Sequence, residues 1–178
     1  MSNNGRVTNV IIAGLGGQGV LKASDIMAAA AFKAGMDVKK SEIHGMSQRG
    51  GSVTSDVRFG KKVYSPMVPP GQADLLLVLA PDQVEVNRHS LRPGGVLIAP
   101  DAIDEKQLAN KRSLNIAMLG VFSRHVPIAE EHWIAAIKSK FDAKLVDANL
   151  RAFELGRQAA QAVVKESYKG SGLVIPVC

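Results

Sequence analysis

The fold is decided by the stretch Gly14-Leu15-Gly16-Gly17-Gln18-Gly19, because it joins two segments of different periodicity. Residues 7–13 before it form a short apolar run that is typical of a buried strand. Residues 20–34 after it carry apolar or small side chains at helical spacing, and Gly35 follows where a helix C-cap is expected. A strand, a glycine-rich turn and a helix in this order predict a Rossmann-like start.

The rest of the chain predicts further strands and helices around an antiparallel insertion. Residues 52–59 alternate between apolar and polar side chains, and residues 63–65 return after the turn at Gly60, which predicts a hairpin. Other strands are expected at residues 37–43, 75–79 and 96–99, with a tight turn at 91–95. Helices are expected after Pro81 and at residues 104–110, 115–124, 130–140 and 147–165. We therefore expect an α/β fold, a three-layer α/β/α sandwich whose mostly parallel sheet contains an antiparallel hairpin.

Length and composition bound the class of protein. The 178 residues predict one domain spanning residues 1–178, and 46% hydrophobic with 21% charged residues is typical of a globular chain. No apolar stretch approaches the roughly 20 residues that span a bilayer, and the N-terminus lacks a signal-peptide pattern. The only cysteine is Cys178, so a disulfide framework is not expected. These features predict a cytoplasmic protein that does not enter a membrane.

The net charge of +6 raises the question of an anionic partner. Lysine and arginine are scattered along the chain, and aromatic residues make up only 4%, which leaves few platforms for base stacking. No motif that reads nucleic acid is present. We therefore expect no nucleic acid among the partners.

The glycine stretch matches the dinucleotide fingerprint with Gly14, Gly16 and Gly19. Such glycines let the backbone approach a ligand, and the helix N-terminus after them offers unpaired N–H groups to an anion. Gln18 adds an amide that donates or accepts hydrogen bonds. The alternative is a tight strand–helix turn whose glycines only permit close packing. It is not a phosphate-binding Walker loop, because no Lys-Ser/Thr pair follows Gly19.

A nicotinamide cofactor is the alternative ligand of this turn, with Glu42 as the acid that binds the ribose. Two features argue against it. The second strand carries Lys39 and Lys40 where a central parallel strand is apolar, and a loop with a hairpin follows it instead of a helical crossover. A stand-alone NAD-dependent oxidoreductase using Gly14, Gly16, Gly19 and Glu42 therefore stays as an alternative, as does a non-catalytic nucleotide-binding module.

A second polar cluster lies in residues 41–51, and we expect it at the same edge of the sheet. Arg49 has the chemistry to hold a carboxylate or phosphate with two hydrogen bonds, and His44 to transfer protons near neutral pH. The alternative is a subunit interface where these groups meet polar atoms of a partner. The candidate substrate or interface crevice comprises Glu42, His44, Ser47, Gln48, Arg49 and Gly50.

These two stretches together resemble a known family. The glycine stretch followed by His44-Gly45-Met46-Ser47-Gln48-Arg49-Gly50-Gly51 is similar to the gamma-type domain of 2-oxoacid:ferredoxin oxidoreductases. The resemblance is closest to the small subunits of the indolepyruvate branch. It continues through Val57-Arg58-Phe59-Gly60, Val63-Tyr64-Ser65-Pro66, Ala73-Asp74-Leu75-Leu76 and Leu91-Arg92-Pro93-Gly94-Gly95.

The resemblance implies a subunit of an enzyme that converts a 2-oxoacid, coenzyme A and oxidised ferredoxin to an acyl-CoA, carbon dioxide and reduced ferredoxin. Thiamine diphosphate, magnesium and four-iron–four-sulfur clusters do this chemistry in the family. One cysteine cannot supply the four thiolates of a cluster, so these cofactors are expected in a large catalytic partner subunit that also meets ferredoxin. We expect no catalytic residue and no metal site in this chain.

The resemblance and the residues together predict roles for the two stretches. The backbone N–H groups of Gly16, Gly17 and Gly19 are expected to face an anionic group, either a ligand phosphate or a partner carboxylate. Gln18, His44, Gln48 and Arg49 are expected to line the same crevice. Whether coenzyme A contacts this chain, which 2-oxoacid is used, and whether the isolated chain forms a homodimer stay open.

Overall fold

The computed structural model describes residues 6–45 and 50–167 of the chain. Five strands form one sheet: β1 (Thr8–Leu15), β2 (Asp37–His44), β3 (Ser52–Gly60), β4 (Ala73–Val78) and β5 (Leu91–Ile98). The α-helices are α1 (Val20–Lys33), α2 (Gln83–Arg88), α3 (Leu114–Phe122), α4 (Glu130–Lys140) and α5 (Ala143–Ser167). None of these helices is both long and apolar enough to cross a membrane.

The strand order is β2-β3-β1-β4-β5, and it confirms the predicted fold class of a mostly parallel sheet with an antiparallel element. β1 pairs with β4 and β4 with β5 in parallel, whereas β3 is antiparallel to both of its neighbours. Four strands therefore point the same way, and β3 alone opposes them. As a result, the carboxyl ends of β1, β2 and β4 lie at the same end of the sheet as the first residue of β3.

The predicted hairpin partner of β3 is wrong. Residues 63–65 form no strand, and β3 pairs instead with β2 on one side and β1 on the other. Two ladders of eight residue pairs each bury β3 in the sheet, which a three-residue return strand cannot match. Val63 is still buried, because the side chain of Asp37 accepts its N–H at 2.9 Å and anchors the segment.

Two further local predictions are corrected. Residues 91–95 were expected to form a turn, but they form the first part of β5. Gly94 has a φ of 72° there, and the pairing with β4 shifts register. The helix expected at 104–110 is one 3-10 turn, Glu105–Gln107. Asp104 caps its start by accepting the N–H of Lys106, but the backbone becomes extended at Leu108, with φ −80° and ψ 125°, and ends the turn there.

The two faces of the sheet are covered unequally. α1, α3, α4 and α5 pack against one side, which we name the helix-covered face, and share one large core that includes Val10, Ile12 and Leu77. The opposite side, the open face, is covered by short α2 and by the segment around Val68. At the centre of the large core, Trp133 lies edge-on to Phe122 with ring centroids 6.0 Å apart.

Helices α3 and α5 approach each other very closely. A Cβ atom added to Gly120 would lie 2.0 Å from the Phe153 carbonyl oxygen, and one added to Gly156 would lie 1.8 Å from the Ala117 carbonyl oxygen. No side chain fits at either position, so the two glycines set the distance between the helices. Every residue of α3 from Asn115 to Phe122 is buried.

Candidate functional site

The glycine turn and the segment that ends in Gly51 meet where the carboxyl ends of β1, β2 and β4 lie beside the first residue of β3. The N–H of Gly16 donates to the Gly51 carbonyl oxygen at 2.9 Å. The N–H of Gly45 donates to the Ser52 carbonyl oxygen at 2.7 Å and holds the start of the same segment. The two stretches that sequence reasoning assigned to one crevice therefore lie together. Ser47, Gln48 and Arg49 lie outside the described residues.

The glycines of the turn are required for different physical reasons. Gly17 and Gly19 have φ angles of 92° and 81°, in the left-handed region that favours glycine. Gly14 is buried, and a Cβ there would lie 2.9 Å from the Gln18 side-chain oxygen and from Val20. Gly19 combines both constraints, because a Cβ at this position would lie 2.3 Å from the amide nitrogen of Asn115.

Gln18 closes the turn on itself. Its side-chain Oε1 accepts the N–H of Leu15 at 2.7 Å, and its own N–H donates to the Leu15 carbonyl oxygen at 3.1 Å. The side chain is exposed, and its Nε2 group has no acceptor among the described residues. Gln18 therefore stabilises the turn through its oxygen and presents a donor outward through its nitrogen.

The backbone N–H groups correct one prediction. Gly16 does not offer its N–H to an anion, because the approach of the second segment pairs that group with Gly51. The N–H groups of Gly17 and Gly19 have no acceptor within the described part of the chain, and the first turn of α1 holds no acidic residue. The anion-binding capacity of the turn therefore rests on these two groups, the helix N-terminus and the Gln18 amide.

Asn115 supports the turn from behind, and sequence reasoning missed it. It is buried at the start of α3, and its Nδ2 donates to the Gly19 carbonyl oxygen at 3.1 Å. Its Oδ1 atom is buried and has no hydrogen-bond partner among the described residues. The available signal was a lone amide in the otherwise apolar run from Leu114 to Phe122, since a buried amide requires partners.

Glu42 and His44 lie exposed at the end of β2, and Glu42 is held by an ion pair. Lys40 Nζ lies 2.5 Å from Glu42 Oε1 and also contacts Asp25 of α1. Partial burial lowers the pKa of Lys40, but the hydrogen bonds to the two carboxylates outweigh it and leave the pKa above its ordinary value. His44 Nε2 lies 3.8 Å from the other Glu42 oxygen. Gly50, with a φ of 65°, is exposed at the far side of the segment.

The position of Glu42 does not suit a nicotinamide cofactor. The ribose-binding acid of that arrangement follows the strand directly beside the first one. Here β3 lies between β1 and β2, so Glu42 is displaced by a second strand spacing, about 10 Å from β1 in total. Its carboxylate is also engaged by Lys40. The fingerprint glycines and their expected acidic partner are thus not brought together.

The described residues were also searched for groups that could bind a metal and for a cavity away from the glycine turn. Residues 6–45 and 50–167 contain no group of three or more His, Cys, Asp or Glu side chains that could hold a metal. A shallow cavity of about 240 Å³ lies on the open face, with Asp56 and His89 in its wall. Burial raises the pKa of Asp56, whose carboxylate accepts the N–H of Val68 at 2.8 Å. No residue of the glycine turn lines this cavity.

Comparison with known proteins decides the family. The family described as pyruvate ferredoxin/flavodoxin oxidoreductase matches residues 9–159. The chain belongs to this family. It is 33% identical to the indolepyruvate oxidoreductase subunit IorB of Thermococcus kodakarensis over 88% of this chain and 97% of that protein. The common gamma subunit of the pyruvate/ketoisovalerate oxidoreductases of the same organism is 27% identical over 79% of this chain and 90% of its own length.

Solved structures show the same fold. The gamma subunit of a keto/oxoacid ferredoxin oxidoreductase from Geobacter sulfurreducens superposes with a TM-score of 0.74 at 25% identity, covering 87% of this chain and 99% of that one. A 2-oxoglutarate:ferredoxin oxidoreductase from Magnetococcus marinus superposes with a TM-score of 0.78 at 22% identity, but the match covers 31% of its chain. The predicted family and function class are confirmed: the chain is a small subunit of a 2-oxoacid:ferredoxin oxidoreductase.

Proposed function

We propose that the chain completes an enzyme of the indolepyruvate type, which oxidatively decarboxylates aryl 2-oxoacids to acyl-CoA and passes the electrons to ferredoxin. The observation that carries this assignment is the match to an indolepyruvate oxidoreductase subunit over 97% of that protein's length. The match to the pyruvate/ketoisovalerate gamma subunit is weaker in both identity and coverage. The chain therefore groups with the aryl branch by similarity over 88% of its length.

The cofactors are assigned to a large catalytic subunit. A cluster requires about four thiolates, and the sequence has one cysteine, so this chain does not fit four-iron–four-sulfur clusters by itself. Thiamine diphosphate and its magnesium are assigned to the same large subunit, which also meets ferredoxin. We place the assembled complex in the cytoplasm, because a chain with one cysteine does not require an oxidising compartment for disulfide formation.

This chain's own contribution is an anion-binding edge. The N–H groups of Gly17 and Gly19, the N-terminus of α1 and the Gln18 amide all offer donors at one place. The matching acceptor is either a phosphate of coenzyme A or a carboxylate of the large subunit. Gln48 and Arg49 follow in the sequence of the adjoining segment, and we expect their side chains to serve the same crevice.

Reconstitution tests the assignment of substrate. The full chain is co-expressed with its large subunit, and ferredoxin reduction is measured with indolepyruvate, pyruvate and 2-oxoglutarate as separate substrates. The proposal predicts the highest kcat/KM for indolepyruvate and no activity when either subunit is omitted. A preference for pyruvate would overturn the aryl assignment, and turnover by the small chain with NAD alone would overturn the subunit role.

A charge placed at the turn tests the anion-binding edge. Gly17→Asp puts a carboxylate beside the free N–H groups, and a Cβ at Gly17 meets no atom within 4 Å. Gly17→Asn keeps the shape and the left-handed backbone without the charge, and Gly35→Asp provides a control at the other end of α1, where φ is 79° and space is also open. Only Gly17→Asp is expected to weaken binding.

The quantity that changes identifies the ligand of the turn. A rise in KM for coenzyme A with unchanged subunit affinity assigns the turn to a phosphate. A loss of affinity for the large subunit assigns it to a partner carboxylate. If Gly17→Asp and Gly17→Asn behave alike in both measurements, the anion-binding proposal is wrong while the subunit assignment stands.

A further inference from the structure

Strand β2 forms one edge of the sheet and is paired on one side only. It runs for eight residues, Asp37–His44, contains no proline, and pairs with β3 alone. No described strand pairs with its outer side. A long edge without proline or a bulge is a template for another strand, unless its side chains forbid the approach.

The backbone groups that face outward can be identified from one hydrogen bond. The N–H of Gly45 donates to the carbonyl oxygen of Ser52, its register partner in the ladder between β2 and β3. In an antiparallel ladder hydrogen-bonded pairs alternate with non-bonded pairs. Counting back from Gly45, every second residue faces β3. The residues whose N–H and C=O groups point outward are therefore Val38, Lys40, Glu42 and His44.

A second copy of β2 fits this edge in one register. A two-fold axis perpendicular to the sheet must place outward-facing residues opposite one another. Because these residues are every second one along the strand, the axis lies at the position of a residue and not between two neighbouring residues. An axis at residue 40 sets Lys40 against Lys40, and an axis at residue 42 sets Glu42 against Glu42. An axis at Ser41 sets Lys40 against Glu42 of the second copy. Like charges directly opposite destabilise a ladder and opposite charges stabilise it, which selects the axis at Ser41.

The same register also gives the longest overlap. Centred on Ser41, all four outward residues find a partner, with Val38 opposite His44 and Lys40 opposite Glu42, each pair occurring twice. Two hydrogen bonds per pair give about eight between the chains. Registers centred one residue away align only three of the four outward positions and repeat a charge against itself. Overlap and charge therefore select the same arrangement.

The side chains at this edge suit such pairing. Lys40 and Glu42 lie on one face of the strand and are 22% and 33% exposed. Lys40 already contacts Asp25 and Glu42 of its own chain, so a second Glu42 across the axis extends an existing charge network. Lys39, the other lysine of the strand, lies on the opposite face across from Ile43 of the second copy in this register. Its charge therefore meets no like charge.

We propose that β2 pairs with β2 of a second copy of this chain, antiparallel and centred on Ser41, so that the two five-stranded sheets become one continuous sheet. The interface lies along the strand rather than at the glycine turn. It therefore does not depend on which substrate or cofactor the complex uses.

A disulfide at the axis tests the register. In a background of Cys178→Ser, Ser41→Cys places two thiols in a non-hydrogen-bonded pair with Cα atoms about 4.5 Å apart, within reach of a disulfide. Oxidation is expected to convert most of the chain to a covalent dimer on a non-reducing gel. Lys39→Cys is the matched control, because its two copies lie four residues apart along the strand, about 14 Å. Absence of a covalent dimer of the Ser41→Cys variant, or equal cross-linking of both variants, overturns the proposal.

A charge exchange tests the pairing without a covalent bond. The wild-type chain is expected to sediment as a dimer, whereas Lys40→Glu alone and Glu42→Lys alone set like charges across the axis and sediment as monomers. Mixing these two variants restores opposite charges at every position and is expected to restore a one-to-one heterodimer. Lys39→Glu alone is expected to stay dimeric. A mixture that stays monomeric while circular dichroism shows both variants folded, or a monomeric wild type, overturns the proposal.

Discussion

Glycine serves two opposite purposes in two regions of this molecule. In the turn between β1 and α1, Gly17 and Gly19 supply left-handed backbone angles and leave N–H groups at the surface. In the crossing of α3 and α5, Gly120 and Gly156 supply the absence of a side chain where carbonyl oxygens approach. The first region uses glycine for its backbone conformation, and the second uses it for its small volume inside the core.

The difference teaches which glycines a sequence reveals. The turn is contiguous and follows a strand, so its spacing alone predicted it. Gly120 and Gly156 stand apart in the sequence, each within a helical segment. Judged from its neighbours alone, each is simply a residue that weakens a helix. Their purpose is visible only when the other helix is in place. Substitutions at the two regions should therefore fail in different ways and by different amounts.

The largest effect is expected for Gly156→Ala. Overpacking against the Ala117 carbonyl oxygen should cost about 3 kcal/mol of unfolding free energy, and lower Tm by roughly 6–12 °C. In an unopposed helix interior the same change would instead stabilise by about 1 kcal/mol, so the sign of the effect is diagnostic. Urea unfolding measures it, with exposed Gln158→Ala on the same helix as the control. A stabilised Gly156→Ala chain would contradict the close crossing.

Gly19→Ala is expected to rank second, because this glycine combines both purposes. The left-handed angle alone costs about 1–2 kcal/mol for alanine. The Cβ would also displace the Asn115 amide, which lies 2.3 Å from that position. Gly17→Ala is the matched control, because it carries the same backbone strain with open space around the Cβ. Equal losses of unfolding free energy for both variants would show that Asn115 yields without cost.

Features of the fold that depend on neighbouring residues could be predicted from the sequence, whereas features that depend on residues distant in the sequence could not. The β1–turn–α1 unit and the bounds of α4, Glu130–Lys140, were predicted because capping, periodicity and glycine spacing are local signals. The partners of β3 were predicted wrongly, since the alternation of residues 52–59 indicates a strand without naming its neighbours.

The candidate site divides in the same way. Sequence reasoning joined the glycine turn to the segment before Ser52, and the contact between Gly16 and Gly51 brings them together. That same contact uses the Gly16 N–H, and its acceptor lies too far along the sequence to be foreseen. Asn115 was missed for the same reason, because its partner Gly19 belongs to another element.

Asn115→Ala tests a side chain of α3 that contacts the glycine turn. Loss of the hydrogen bond to the Gly19 carbonyl oxygen is expected to cost about 1 kcal/mol of unfolding free energy. The cost is limited because the unpaired Oδ1 atom is removed as well. A double-mutant cycle with Gly19→Ala measures the coupling, which should exceed about 0.5 kcal/mol, whereas a cycle with Gly156→Ala should be additive. Coupling to Gly156 instead would mean that the two glycine regions are not energetically separate.

The smallest effect on stability is expected for Gly16→Ala, and it sharpens the comparison most. Gly16 is not among the glycines with positive φ, and a Cβ there would lie in ordinary contact, 3.5 Å from the backbone nitrogen of Gly50. Thermal unfolding should shift by less than the equivalent of about 0.5 kcal/mol, as for other exposed positions. The added methyl group nevertheless projects where the turn meets the adjoining segment. A chain of unchanged stability with reduced turnover in the reconstituted complex would separate the functional use of this turn from its folding. Unchanged turnover would confine the functional part of the turn to Gly17, Gln18 and Gly19.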